Sequence, residues 1–310
     1  MIYDLAIIGG GPAGVAAGVY ASRKRLKTVF ITDSFIGQSA VSDGIENWIG
    51  TIKISGTELA ENLKKHLQAY AGDVVDIKEG LRASSIEKKD GSFIIKTTSD
   101  TNNTFEAKTL LITTGSTRRK LEAKGAEEFD NKGLTYCATC DGPLFADQDV
   151  AVIGGGNAAF ETAAQLLAYC KSVTLLNRTD QFRADQVTID KLSKNPKFKI
   201  ITNAPIDAVI GDKFVNGIIY TDKTTNQKIT LPTNGIFVEI GLIPNTSFLK
   251  EVVELNQIGQ IVVDPRNQRT KTEGIWAAGD VTDGLYHQNN IAAGDAVKAL
   301  EDIFGFIHTK

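Results

Sequence analysis

Two cysteines three residues apart, in Cys137-Ala-Thr-Cys140, are followed directly by Asp141. That spacing permits a small reversible disulfide whose thiols are poised by their surroundings, and an adjacent carboxyl can give a proton to a leaving thiolate. Zinc is a competing use of such a pair. It needs two more ligands, and Cys170, His66, His287 and His308 are scattered singly with no second paired motif, so no metal is expected. A pair of structural cysteines is the remaining alternative, and a turn cap is the alternative for Asp141. Cys170 ends the apolar run from Leu166 and reads as a core residue.

Two glycine clusters about 145 residues apart repeat one design. The first is Gly9-x-Gly11-x-x-Gly14, with Pro12 and Ala13 inside it; the second is Gly154-x-Gly156-x-x-Ala159, with Asn157 and Ala158 inside it. Each lies between a short β-branched apolar run and an Ala-rich stretch, so each reads as a strand, a tight turn and a helix. A pyrophosphate needs that turn, close backbone approach and the positive end of a helix. Asp33 stands at the end of the next strand, where an acid bonds a ribose hydroxyl; a turn cap is its alternative. In the second copy the equivalent residue is Asn177, followed by Arg178 and, further on, Arg183. A missing acid and a guanidinium suit the 2′-phosphate of NADP, which favours NADPH over NADH, whereas solvated surface charge is the alternative for both arginines.

The elements that must position these groups follow from the pattern. Val15 to Arg25 and Ala159 to Ala168 have helix-forming composition, and Lys27 to Thr32 and Ser172 to Leu176 are the second strands of the two units. Glu58 to Ala71 reads as an amphipathic helix, and Ala83 to Ile112 as several antiparallel strands with Asp90-Gly91 as a hairpin turn. Four short strands are expected at Phe198 to Ile201, Asp207 to Ile210, Gly217 to Thr221 and Gln227 to Leu231. Gly259 to Ala278 returns to strand character, and Asn290 to Phe304 closes the chain as a helix. The fold class is α/β: two Rossmann-like three-layer dinucleotide-binding domains, the second inserted into the first. The boundaries expected are 1–116 with 246–310 for one domain and 117–245 for the other.

A chain of 310 residues is long enough for two self-sufficient cores. The formal net charge of -3, with Lys and Arg scattered, gives no footprint for nucleic acid or an anionic membrane. The uncharged stretch from Leu5 to Ser22 is broken by Gly9-Gly10-Gly11-Pro12 and has no basic residue before it, so it reads neither as a signal peptide nor as a membrane span. Three cysteines do not make a secreted disulfide scaffold. A cytoplasmic protein with small soluble partners is expected.

Taken together, the first glycine turn, Cys137-Ala-Thr-Cys-Asp-Gly142, the second glycine turn and Gly274-Ile-Trp-Ala-Ala-Gly-Asp280 resemble the low-molecular-weight thioredoxin reductases over essentially the whole chain. They also resemble the flavoprotein part of the alkyl hydroperoxide reductase flavin subunit, particularly at Cys140-Asp-Gly-Pro-Leu-Phe145, Arg183-Ala-Asp-Gln186 and Gly235-Ile-Phe-Val-Glu-Ile-Gly-Leu-Ile-Pro-Asn245. That protein's N-terminal thioredoxin-like domains have no counterpart here, so the expected electron acceptor is a separate thioredoxin or a thioredoxin- or glutaredoxin-like protein. The resemblance implies a homodimer with FAD in the discontinuous domain, and NADPH and the disulfide in the inserted one, which rotates to present each to the flavin. It implies that Cys140 faces the flavin and Cys137 attacks the partner. It also places Gln38, Asn47, Thr114, Gly115, Asp280 and Gln288 at FAD. Gly279-Asp280 supports this independently, because an Asp at a strand end suits a ribityl hydroxyl; an ordinary turn is the alternative.

The sequence departs from the family in two places. The usual His-Arg-Arg with a further Arg reads Asn177-Arg178-Thr179 with Arg183, and the usual Arg-Gln-Ala beside the flavin reads His287-Gln288-Asn289. These changes leave NADH, or a donor such as ferredoxin, as alternatives to NADPH. A non-catalytic flavin- or nucleotide-binding redox sensor is the alternative of a different class.

Overall fold

The computed structural model describes residues 1–42, 44–98, 103–249 and 251–309. The chain divides into two compact units, Met1–Thr117 with Ile243–Lys310, and Arg118–Leu242.

In the first unit, β1 (Ile2–Ile8), α1 (Pro12–Arg23) and β2 (Thr28–Thr32) form the expected strand, turn and helix. The sheet runs β3 (Val75–Glu79), β2, β1, β6 (Thr104–Ile112), β5 (Ser92–Thr98) and β4 (Arg82–Lys89). Strands β1, β2, β3 and β6 are parallel, and β6 turns antiparallel only towards β5. The later half of β6 carries β17 (Ile275–Ala277) in parallel. Alternation along β1 separates two cores, as a strand covered on both faces requires. Leu5 and Ile7 pack under α1 and α6 (Asn289–Thr309), while Ala6 and Ile8 face Leu249, from the 3-10 turn Ser247–Leu249, and Val253, Ile261 and Val281 from irregular chain. α2 (Gly56–Ala71) adds Leu67 to the helical side.

The chain enters the second unit through β7 (Ser116–Arg118) and leaves it through β16 (Leu242–Pro244). Its sheet is wholly parallel: β11 (Phe198–Ile201), β10 (Ser172–Leu176), β9 (Asp149–Ile153), β15 (Gly235–Val238) and β8 (Leu134–Thr135). α4 (Asn157–Leu166) and α5 (Gln186–Ser193) cover one face with Val150 and Val152; the antiparallel β12 (Ile206–Gly211), β13 (Val215–Asp222) and β14 (Gln227–Pro232) cover the other with Ala151 and Ile153. Each unit is therefore a three-layer, Rossmann-like α/β fold.

Several expected boundaries move, for local reasons. α2 begins at Gly56 because Ser55 Oγ accepts the Glu58 N–H at 3.2 Å, a helix start the apolar periodicity did not register. α6 runs on to Thr309 because Phe304, Phe306 and Ile307 continue its buried face, with Phe306 edge-on to Trp276 at 5.3 Å. Only Ile275–Ala277 of the stretch 259–278 is a strand. Gly259, Gln268 and Gly274 adopt positive φ there, and Pro265 interrupts it, so ladders cannot extend. Asp90-Gly91 does turn β4 into β5, whereas residues 99–102 lie outside the described residues.

Candidate functional site

The first glycine turn is built by steric necessity. A Cβ on Gly14 would lie 1.9 Å from the Gly9 carbonyl oxygen, so α1 can approach the turn only with glycine there, and Gly9 itself has φ +119°. Gly11 faces open space with nothing within 4 Å, and the free N–H groups of the first turn of α1 follow it. An anionic pyrophosphate fits this cradle, and a side chain would fill it. The turn opens into a cleft of about 610 Å³ whose lining includes Gly9, Gly11, Pro12, Ala13, Asp33, Gln38, Thr114, Gly115, Gly279, Asp280 and Asn289. Gly14 lies behind the turn, and Asn47, His287 and Gln288 do not line the cleft.

Those side chains are held by one another. Asp33 Oδ1 accepts the Ser34 N–H at 2.8 Å, and its Oδ2 lies 3.8 Å from Arg82. Gln38 donates to the Ser116 carbonyl. Thr114 and Asn245 bond reciprocally, each at 2.9 Å, next to Gly115 at φ +63°. Asn47 donates to Gln288 at 3.2 Å, Asn289 accepts from Ser39 at 3.0 Å, and Asn290 donates to the Asn47 carbonyl at 2.7 Å, tying Ser39 and Asn47 to the start of α6. His287 Nδ1 lies 3.5 Å from Asp280 Oδ1. The family departure at 287–289 is thus an imidazole beside the cleft carboxylate and an amide anchoring Ser39.

The second glycine turn repeats the first. A Cβ on Gly154 would meet the Glu239 carbonyl oxygen at 2.3 Å and Ala159 Cβ at 3.0 Å, while Gly156 again faces open space. Asn157 receives the Asp185 N–H at 2.8 Å, and the Arg183 N–H bonds the Gly155 carbonyl at 2.7 Å, which holds the 183–185 segment against the turn. Ala158 is exposed beside Asn157 and Ala159 is fully buried. Asn177 is buried and donates to Gln181 O at 2.8 Å, so its amide braces the loop after β10. Arg178 and Arg183 are exposed and make no ion pair with an acid among the described residues.

Glu239, which motif reading passed over, closes the floor of this turn and accepts from Thr162 at 2.9 Å. Burial pushes its carboxyl up to about 6, against a weaker downward pull from Arg118 and the Thr162 bond. The folded chain therefore holds this proton more tightly than the unfolded chain, and stability falls as pH rises from the ordinary carboxylate range through about 6. Ionised Glu239 costs the fold about 2 kcal/mol at neutral pH. Glu239→Gln keeps the Thr162 bond and is expected to raise the thermal midpoint by several degrees at about pH 8 and hardly at about pH 5. Melting curves at the two pH values check this; an equal shift at both contradicts it.

Cys137 and Cys140 form a disulfide with Cα atoms 5.3 Å apart. Cys137 caps the single turn α3 (Ala138–Asp141), and the Cys140 N–H points at Cys137 Sγ from 3.2 Å. Both sulfur residues and Asp141 are half-buried. The turn is seated by Ala138 in the helical-side core and by Gly142, where a Cβ would meet Tyr169 Oη at 2.2 Å. Cys170 is buried, and desolvation pushes its thiol up to about 11, so it takes no part. Among the described residues no cluster of His, Cys, Asp or Glu can hold a metal, and no helix is long and apolar enough to cross a membrane.

Residues 3–296 match the family described as pyridine nucleotide-disulphide oxidoreductase. The F subunit of alkyl hydroperoxide reductase from Staphylococcus aureus is 43 % identical over 305 residues, which cover 98 % of this chain and 59 % of that protein. The chain thus spans about three fifths of the length of that relative. Thioredoxin reductase from Streptococcus pyogenes superposes with a TM-score of 0.90 at 32 % identity, over 100 % of this chain and 99 % of that one. Thioredoxin reductase from Giardia duodenalis gives 0.93 at 32 %, with the same coverage. FAD and NADPH are the cofactors of this kind of enzyme. With two glycine turns shaped for dinucleotides and a disulfide in the second unit, the chain belongs to the pyridine nucleotide-disulphide oxidoreductase family.

Proposed function

We propose that this protein is a thioredoxin reductase-like disulfide reductase that takes electrons from NADPH, through FAD, to Cys137–Cys140 and on to a disulfide in thioredoxin or a similar small redox protein. The observation that carries the reading is the Cys137–Cys140 disulfide beside Asp141, in the unit that contains the second glycine turn. Bound FAD supplies the two-electron chemistry between nicotinamide and disulfide. The chain's own part is to hold it: Gly9 to Gly14 take its pyrophosphate, Asp33 a ribose hydroxyl and Asp280 a ribityl hydroxyl. The second turn, Gly154 to Ala159, takes the nicotinamide dinucleotide, with Arg178 and Arg183 on its 2′-phosphate.

Cys140 is the sulfur that receives electrons, and Cys137 the one that attacks. A backbone N–H aimed at Cys137 Sγ favours thiolate on that sulfur once the bond is opened. The Cys137 thiolate bonds to one partner sulfur, and the other leaves, taking its proton from Asp141. Cys140 then attacks Cys137 Sγ, expels the partner sulfur bonded to it and restores the enzyme disulfide. The protein acts in the cytoplasm as a homodimer.

The Asn177 amide supports a second reading, in which a donor other than a nicotinamide feeds the flavin, because that side chain is spent on its own loop. Anaerobic titration with NADPH and with NADH, following flavin bleaching, decides between them. Bleaching by NADPH at low concentration supports the main reading; failure with both nucleotides transfers it to ferredoxin or another donor.

A further inference from the structure

We infer that Thr135 is a positioning residue for disulfide exchange, holding the Asp141 carboxyl, in its protonated form, where it meets the leaving sulfur; this rests on the proton-donor reading of Asp141. Thr135 ends β8, the edge strand paired with β15, and Leu134 beside it faces the opposite core. Strand alternation therefore turns Thr135 to the side of Phe237 and Ala138, beneath α3. It is buried, 6 % exposed, and its hydroxyl is used twice. It donates to Asp141 Oδ2 and accepts the Cys137 N–H at 3.3 Å. The Asp141 N–H bonds the Cys137 carbonyl at 3.1 Å, and the Cys140 N–H points at Cys137 Sγ. One hydroxyl thus fixes the carboxylate and the backbone of the attacking cysteine relative to each other, anchored on the rigid sheet rather than on the short turn.

The chemistry makes the role testable. When the Cys137 thiolate forms its bond to a partner sulfur, an alkyl leaving thiolate needs a proton, which a placed carboxyl supplies. An aryl thiolate, of much lower pKa, leaves without one. Thr135→Val keeps the shape and removes the hydroxyl, and Thr135→Ser keeps the hydroxyl.

The experiment is stopped-flow reaction of the pre-reduced holoenzyme with oxidised thioredoxin, whose disulfide is alkyl, and with the aryl disulfide DTNB. Thr135→Val is expected to slow the thioredoxin reaction about tenfold in limiting rate with the half-saturating concentration unchanged, and the DTNB reaction less than about twofold. Thr135→Ser restores the thioredoxin rate. In an Asp141→Asn background, Thr135→Val adds nothing. Equal loss with both disulfides, no rescue by Ser, or a full additional loss in Asp141→Asn overturns the positioning role. If Asp141→Asn is slowed but Thr135→Val is not, only the positioning fails. If Asp141→Asn itself reacts at the wild-type rate with thioredoxin, the proton-donor reading fails and takes this role with it.

Discussion

Cys140→Ser is expected to abolish turnover of a protein disulfide, by about three orders of magnitude or more, while NADPH still bleaches the flavin. Exchange needs both sulfurs in sequence. Cys137 alone can form a mixed disulfide with the partner, but with serine at 140 nothing displaces it, and no sulfur accepts electrons from the flavin. The remaining cysteine offers no substitute, because Cys170 is buried in the core of the second unit with its thiol held near 11. The nucleotide site we propose is a different part of that unit, the Gly154 turn and the loop after β10. The two half-reactions therefore separate. Stopped-flow bleaching by NADPH and steady-state turnover with oxidised thioredoxin measure them, and intact turnover in the variant would remove the disulfide from the mechanism.

Much of this was readable from residue types and spacing. The glycine turns are legible because each forbidden Cβ has a local cause: the Gly9 carbonyl lies 1.9 Å from where a Gly14 side chain would begin. The strand and helix that flank each turn announce themselves by a β-branched run and an Ala-rich segment. Glu239 and Thr135 were not legible, because their importance is tertiary. Glu239 directly follows the apolar strand β15 and matters only because Thr162, from α4, meets it; Thr135 matters because an edge strand of two residues passes under α3. Val75–Glu79, Gly235–Val238 and Gln186–Ser193 were likewise missed as elements. The strands there are short and owe their ladders to distant partners, Thr28–Thr32 and Asp149–Ile153, which no local window contains. The stretch 259–278 erred in the opposite sense, since its apolar residues suggested strands that its positive-φ turns break.

On the proposed reading, nucleotide choice turns on Arg178 and Arg183, and the outcome expected is a selective loss. Arg178→Ala should raise the NADPH concentration needed for half-maximal bleaching by roughly tenfold and change the NADH requirement less than about twofold. The 2′-phosphate is the only difference between the two nucleotides, so only a group that touches it can discriminate. Asn177 cannot, because its amide is bonded to Gln181 O inside the loop. Arg183 is a second candidate, with its backbone fixed to Gly155 at 2.7 Å beside the cradle and its guanidinium unpaired with any acid among the described residues. Two guanidinium groups on one phosphate share its charge, so Arg178→Ala with Arg183→Ala should lose more than either alone, roughly a hundredfold. Both arginines are exposed, so the preference should also weaken with added salt, as a screened charge contact does. Titration of each variant with both nucleotides at low and high ionic strength measures all three effects. Equal losses for NADPH and NADH would mean that the arginines support the fold of the loop rather than read the phosphate.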